Sequence, residues 1–60
     1  MSRDLELKVR NELFKRDITL KEFAEELGIS QPYLTDILRG RRVGPKAQER
    51  VIQIKKLLGV

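Results

Sequence analysis

Sixty residues make one domain at most, and a chain this short buries only about 60% of its unfolded surface, so it needs well-packed helices or association to be stable. Apolar residues at 40% and charged residues at 37% suit a small globule and argue against a disordered tail; the absence of cysteine removes any disulfide framework. No apolar run nears the roughly 20 residues of a membrane span, there is no signal-peptide pattern at the start, and the net charge of +4 fits either a polyanionic partner or a solvated basic face kept for solubility.

In chain order, Met1 to Asp4 is expected to be a loose end. Leu5, Val9 and Leu13 then recur at i, i+4, i+8, flanked by Leu7 and Phe14, which predicts an amphipathic helix over about 5–16. Asp4 or Ser2 is its candidate cap. Asp17 stands where the chain leaves this helix, and Ile18 is placed to pack at the turn.

Thr19-Leu20-Lys21-Glu22 matches the capping box, in which hydroxyl and carboxylate satisfy each other's orphan backbone donors. It opens a second helix over 19–27, with Leu20, Phe23, Ala24 and Leu27 on one face. Ala24 is small enough for a neighbouring helix to approach closely. Glu25 and Glu26 belong to the solvated side. Gly28 follows the last apolar position, where a helix ends in the left-handed conformation, and Ile29 fills the corner.

The third helix is expected over 31–39, with two readings of its start. Ser30 as cap puts Pro32 at the second helical position; Gln31 as cap puts Pro32 at the favoured first position. Leu34, Ile37 and Leu38 face inward, which leaves Gln31, Thr35 and Asp36 on the open side. Gly40 ends the helix between Arg39, Arg41 and Arg42. Val43 is expected to tuck against the core, and Gly44 to bend the loop. Pro45 opens a fourth helix over 45–58 with Ala47, Val51, Ile54 and Leu58 as its buried stripe. Ile52, Leu57 and Val60 fall off that stripe and are read either as ordinary surface residues or as a small exposed apolar patch, a candidate dimer contact.

The charge is lopsided. Residues 1–30 carry six Lys/Arg against seven Asp/Glu, and residues 31–60 carry seven against two. All the excess positive charge therefore lies in the third helix and the residues after it. Two helices joined by a short glycine turn, the second presented outward beside a basic stretch, are the parts of a helix-turn-helix DNA reader.

Nearly the whole chain resembles the Cro/C1-type (XRE-like) helix-turn-helix family of phage repressors and bacterial transcriptional regulators. The likeness rests on Phe23-Ala24, Leu27-Gly28-Ile29-Ser30, Leu34 and Ile37, the Arg39-Gly40-Arg41-Arg42 exit and the closing Leu57-Leu58-Gly59. It implies an all-α fold, a compact four-helix helix-turn-helix domain of the lambda repressor kind spanning 1–60. It also implies a sequence-specific double-stranded DNA-binding regulator, a repressor, in the cytoplasm of a bacterial or phage-infected cell.

By the same resemblance the third helix lies in the major groove and reads bases with Gln31, Pro32, Thr35 and Asp36. Gln pairs with adenine, Thr meets a base or the thymine methyl, and Asp accepts from the cytosine amino group. Thr19, Lys21, Tyr33, Arg39, Arg41, Arg42 and Lys46 are the implied phosphate contacts. The chain departs from the family twice. Leu20 stands where the family often has a phosphate-binding Gln, leaving Thr19, Lys21 and the N–H groups of the helix start as substitutes. Asp36 puts a negative charge toward a polyanion, and pairing with Arg39 is the alternative to base reading. Many members also continue into a fifth helix that helps them dimerise, so the chain is expected to be a minimal regulator or part of a larger one.

The competing reading is a protein-interaction module on the same fold, an antirepressor or antitoxin-like adaptor, with Ile52, Leu57 and Val60 as its contact. An enzyme is disfavoured, because the sequence has no His, no Cys, no phosphate-cradling glycine loop and no metal-ligand cluster. No cofactor, metal, small-molecule substrate or membrane partner is expected.

Overall fold

The computed structural model describes residues 3–60, with side chains from Asp4 onward. Of these residues 74% are helical, in α1 (Arg3–Lys15), α2 (Leu20–Leu27), α3 (Gln31–Leu38) and α4 (Pro45–Leu58), with no strand among them. The fold is the all-α four-helix arrangement expected from the apolar periodicities.

α1 starts earlier than the stripe beginning at Leu5 indicates. Arg3 and Asp4 are helical, so Asp4 sits in the first turn, where a carboxylate suits the helix dipole, and is not a cap. Ser2, the other candidate cap, lies outside the described residues. At the far end Asp17 takes a left-handed φ of 59°. Its N–H donates to Phe14 O at 3.1 Å and that of Ile18 to Leu13 O at 2.9 Å, a closure in which Asp stands where glycine is usual.

α2 opens with the expected capping box: Glu22 N donates to Thr19 Oγ1 at 3.1 Å and Thr19 N to Glu22 Oε1 at 2.9 Å. Hydrogen bonding to the carboxylate, from the Thr19 N–H first and from the Thr19 hydroxyl second, holds the Glu22 carboxyl below its ordinary pKa. At its end Gly28 has φ 76°, and Gly28 N and Ile29 N donate back to Glu25 O and Ala24 O, each at 3.0 Å. Ser30 proves to be the cap of α3, with Tyr33 N donating to Ser30 Oγ at 3.2 Å, so Pro32 occupies the second helical position. Pro45 begins α4, and Gly59 closes it.

One cluster joins all four helices: Val9 and Leu13, Phe23, Ala24 and Leu27, Leu34 and Leu38, Ile54 and Leu58. Leu5, Ile18, Leu20 and Ile29 pack on its edge. Val60 packs there too and is half-buried, so it is not part of an exposed patch with Ile52 and Leu57. Val51, expected in the buried stripe of α4, is only half-buried. Val43 contradicts the expectation outright: it is 71% exposed. Its loop is held by its carbonyl, which accepts from Gln48 Nε2 at 3.1 Å, and not by its side chain.

Three charged side chains tie the helices together. Arg16 Nη1 donates to Leu57 O at 3.2 Å, linking the end of α1 to the end of α4. Arg50 Nη1 donates to Leu27 O at 3.1 Å, linking α4 to the last turn of α2. Glu6 is the one buried charged residue among those described, 5% exposed, and its Oε2 accepts from Arg10 Nε and Arg39 Nε, each at 3.2 Å. It thereby fastens α1 to the end of α3. Burial pushes this carboxyl's pKa up, but the hydrogen bonds and charges of Arg39 and Arg10 outweigh that and hold it below the usual 4.5.

This packing sets the effect of two substitutions. Gly28→Ala meets no atom within 4 Å, so its cost is purely conformational, roughly 1–2 kcal/mol, read as a lowered denaturant midpoint with unchanged slope. Glu6→Gln removes a charge-assisted link and costs about 2 kcal/mol at neutral pH. Because the folded pKa is depressed, that advantage of the native chain shrinks as pH falls below about 4.5 and vanishes once Glu6 is protonated in the folded state. Paired urea titrations of the two chains at neutral and acid pH measure it.

Candidate nucleic-acid interface

The exposed surface of α3 is set by how its other side is buried. Leu34, Ile37 and Leu38 are buried, so the helical period turns Gln31, Pro32, Thr35 and Asp36 away from the core. Gln31 and Pro32 are exposed, while Thr35 and Asp36 are half-buried. The Ser30 cap fixes the angle at which this surface leaves the turn.

Beyond α3 the chain closes with Gly40 N donating to Ile37 O at 3.1 Å and Arg41 N to Asp36 O at 2.8 Å. That closure folds the arginine loop back toward α3. Asp36 Oδ1 lies 3.8 Å from Arg41 Nη1, and Asp36 Oδ2 lies 3.8 Å from Arg42 Nε. Arg42 also sits 5.5 Å from the centre of the Tyr33 ring, within cation–π range. Tyr33, Arg41, Arg42 and Lys46 line one open hollow of about 590 Å³. Four of the side chains expected to grip phosphate are therefore neighbours on one concavity, next to the outward side of α3.

The remaining expectations fare differently. Arg39 does not pair with Asp36: its Nε is on Glu6, and the guanidinium is half-buried. Thr19 lines a separate hollow of about 490 Å³ with Arg10, Asn11, Phe14 and Leu20. Its hydroxyl accepts the Glu22 N–H, and the Glu22 carboxylate occupies the start of α2, which weakens that helix end as an anion site. Lys21 is exposed beside it. Ile52 and Leu57 are 56% and 48% exposed.

Glu6 and Arg50 carry structural roles that the order of residues along the chain assigns to neither. For Glu6 a signal exists: it precedes Val9 by three and Leu13 by seven, on the buried side of α1, with Arg10 four residues on. For Arg50 there is none, because its partner carbonyl lies 23 residues away. Phe14, 87% exposed, is likewise more open than a residue flanking a buried stripe suggests.

The sequence model of the helix-turn-helix family matches residues 8–60. That is most of the chain, and the protein belongs to the Cro/C1-type helix-turn-helix family of DNA-binding transcription regulators. No curated protein and no solved structure matches it. No helix among the described residues is long and apolar enough to cross a membrane.

Proposed function

We propose that the chain is a sequence-specific regulator of double-stranded DNA, acting as a single domain that enters the major groove with α3 and represses by occupying its site, in the cytoplasm of a bacterial or phage-infected cell. The observation that carries this reading is the adjacency of two surfaces. Gln31, Pro32 and Thr35 lie on the outward side of α3, and the hollow lined by Tyr33, Arg41, Arg42 and Lys46 adjoins it. A polar surface of helical width suits base edges, where Gln pairs with adenine and Thr with a base or the thymine methyl. Pro32 offers apolar contact alone.

The phosphate contacts are Tyr33, Arg41, Arg42 and Lys46, joined by Lys21; Thr19 is set aside because its N–H and hydroxyl are engaged with Glu22. Arg39 is set aside because Glu6 already holds it. Ile52 and Leu57 are offered as a contact between two copies; a two-fold pair would read half-sites roughly 34–36 Å apart. Their exposure also supports the second reading, a protein-interaction module on the same fold.

Binding measured across a salt series tests the first reading. Arg41→Gln and Arg42→Gln each weaken binding to all duplexes alike and reduce the magnitude of the log–log salt slope by up to about 0.9. Gln31→Ala and Thr35→Ala instead change the base preferred at one or two positions of the selected site, each costing roughly 1–3 kcal/mol on the original sequence. Unchanged preference in both variants contradicts the assignment of α3. Absence of any DNA retention at low salt, together with a bound protein partner lost on Ile52→Asp, favours the second reading.

A further inference from the structure

We propose that Asp36 is a positioning residue that acts through Arg41 and Arg42, setting how strongly the loop grips DNA of any sequence, and that it does not read a base. This rests on the DNA-binding reading above. A carboxylate that reads cytosine must aim an oxygen into the groove toward the amino group. Here each oxygen of Asp36 faces a different arginine of the following loop, 3.8 Å from Arg41 Nη1 and from Arg42 Nε.

The same residue holds the loop a second time through its backbone, since Asp36 O accepts the Arg41 N–H at 2.8 Å. Tyr33 backs Arg42 from the preceding turn of α3, 5.5 Å from its ring centre. Gln48 pins the far end of the loop through Val43 O at 3.1 Å. The two arginines, both exposed, thus stay near the end of α3, close to the surface assigned to the groove.

The consequence is electrostatic. Asp36, Arg41 and Arg42 together carry one net positive charge where the arginines alone would carry two. Ion pairs this exposed are individually weak, so a phosphate can still recruit either guanidinium. The carboxylate nonetheless competes with phosphate for the two guanidinium groups, and so opposes the attraction that is common to every sequence. Sequence-independent affinity follows the number of phosphates neutralised, so Asp36 moderates the grip without contributing to base choice.

The test uses the full chain, a preferred duplex from random-pool selection and an unrelated duplex, with binding followed by fluorescence anisotropy over a salt series. Asp36→Ala is expected to tighten low-salt binding to both duplexes by a similar factor, roughly three- to ten-fold. It should steepen the salt slope by up to about 0.9 and leave the preferred base unchanged at every position. In an Arg41→Gln, Arg42→Gln background the same substitution should have no such effect, because the groups it acts through are gone.

The proposal is overturned by a gain that persists without the two arginines, by a changed preference at one base position, or by a loss of affinity confined to the preferred duplex. Asp36→Asn, which keeps the side-chain shape, gives the same readings should the alanine variant fail to fold. A native chain that binds no DNA overturns the DNA-binding reading and this inference with it; a native chain that binds DNA with Asp36→Ala indistinguishable from it overturns this inference alone.

Discussion

A helix of eight residues is not stable by itself in water, because nucleating it costs more than two turns of backbone hydrogen bonds supply. α3 has eight residues, and its shape is therefore imposed from outside. Leu34 and Leu38 sit in the shared core. Ser30 caps its start, and the bonds back to Ile37 and Asp36 close its end. Glu6 reaches across from α1 to hold Arg39 immediately beyond it. The bend at Gly28 decides where this clamped segment leaves the core. Each constraint acts on the inner side or on the ends, so the outer surface of α3 is left to residues that the fold does not require.

That freedom is matched by how charge is sorted. Three of the outward cations, Arg41, Arg42 and Lys46, stand where the chain leaves α3 and enters α4, and Tyr33 and Asp36 keep two of them near the helix. The start of α2 carries the Glu22 carboxylate of its own capping box. Those three cations offer a polyanion an attractive edge beside the outer side of α3. Arg39 illustrates the opposite assignment. Its guanidinium serves the packing of α1 on α3, which is why adjacency in sequence to Arg41 and Arg42 does not make the three equivalent.

Much of this is legible in the sequence because it is local. The capping box at Thr19, the left-handed Gly28, the Pro45 start and most of the apolar stripes depend on residues within a few positions of one another. The start of α1 is not legible in the same way, because charged residues can extend a helix beyond its apolar stripe. Val43 misleads because a valine in a loop gives no sign that Gln48 holds that loop by the backbone. The pairings of Glu6, Arg39, Asp36 and Arg50 depend on which elements meet and on how the chain closes after α3. Helical spacing suggests Asp36 with Arg39, whereas the closure at Gly40 brings Arg41 and Arg42 to it. The outward side of α3 is legible as a surface, by subtraction of the buried stripe.

The central claim is that one continuous surface, the outer side of α3 with the loop and first turn after it, meets DNA. Backbone amide shifts of the isotopically labelled chain, followed by nuclear magnetic resonance during titration with a selected duplex, test it most directly. The account predicts that the largest changes fall on Gln31, Tyr33, Thr35, Arg41, Arg42 and Lys46, with little change at Leu7 or Phe14. Changes concentrated on the outer side of α1 or α4, with the residues of α3 unmoved, would contradict it.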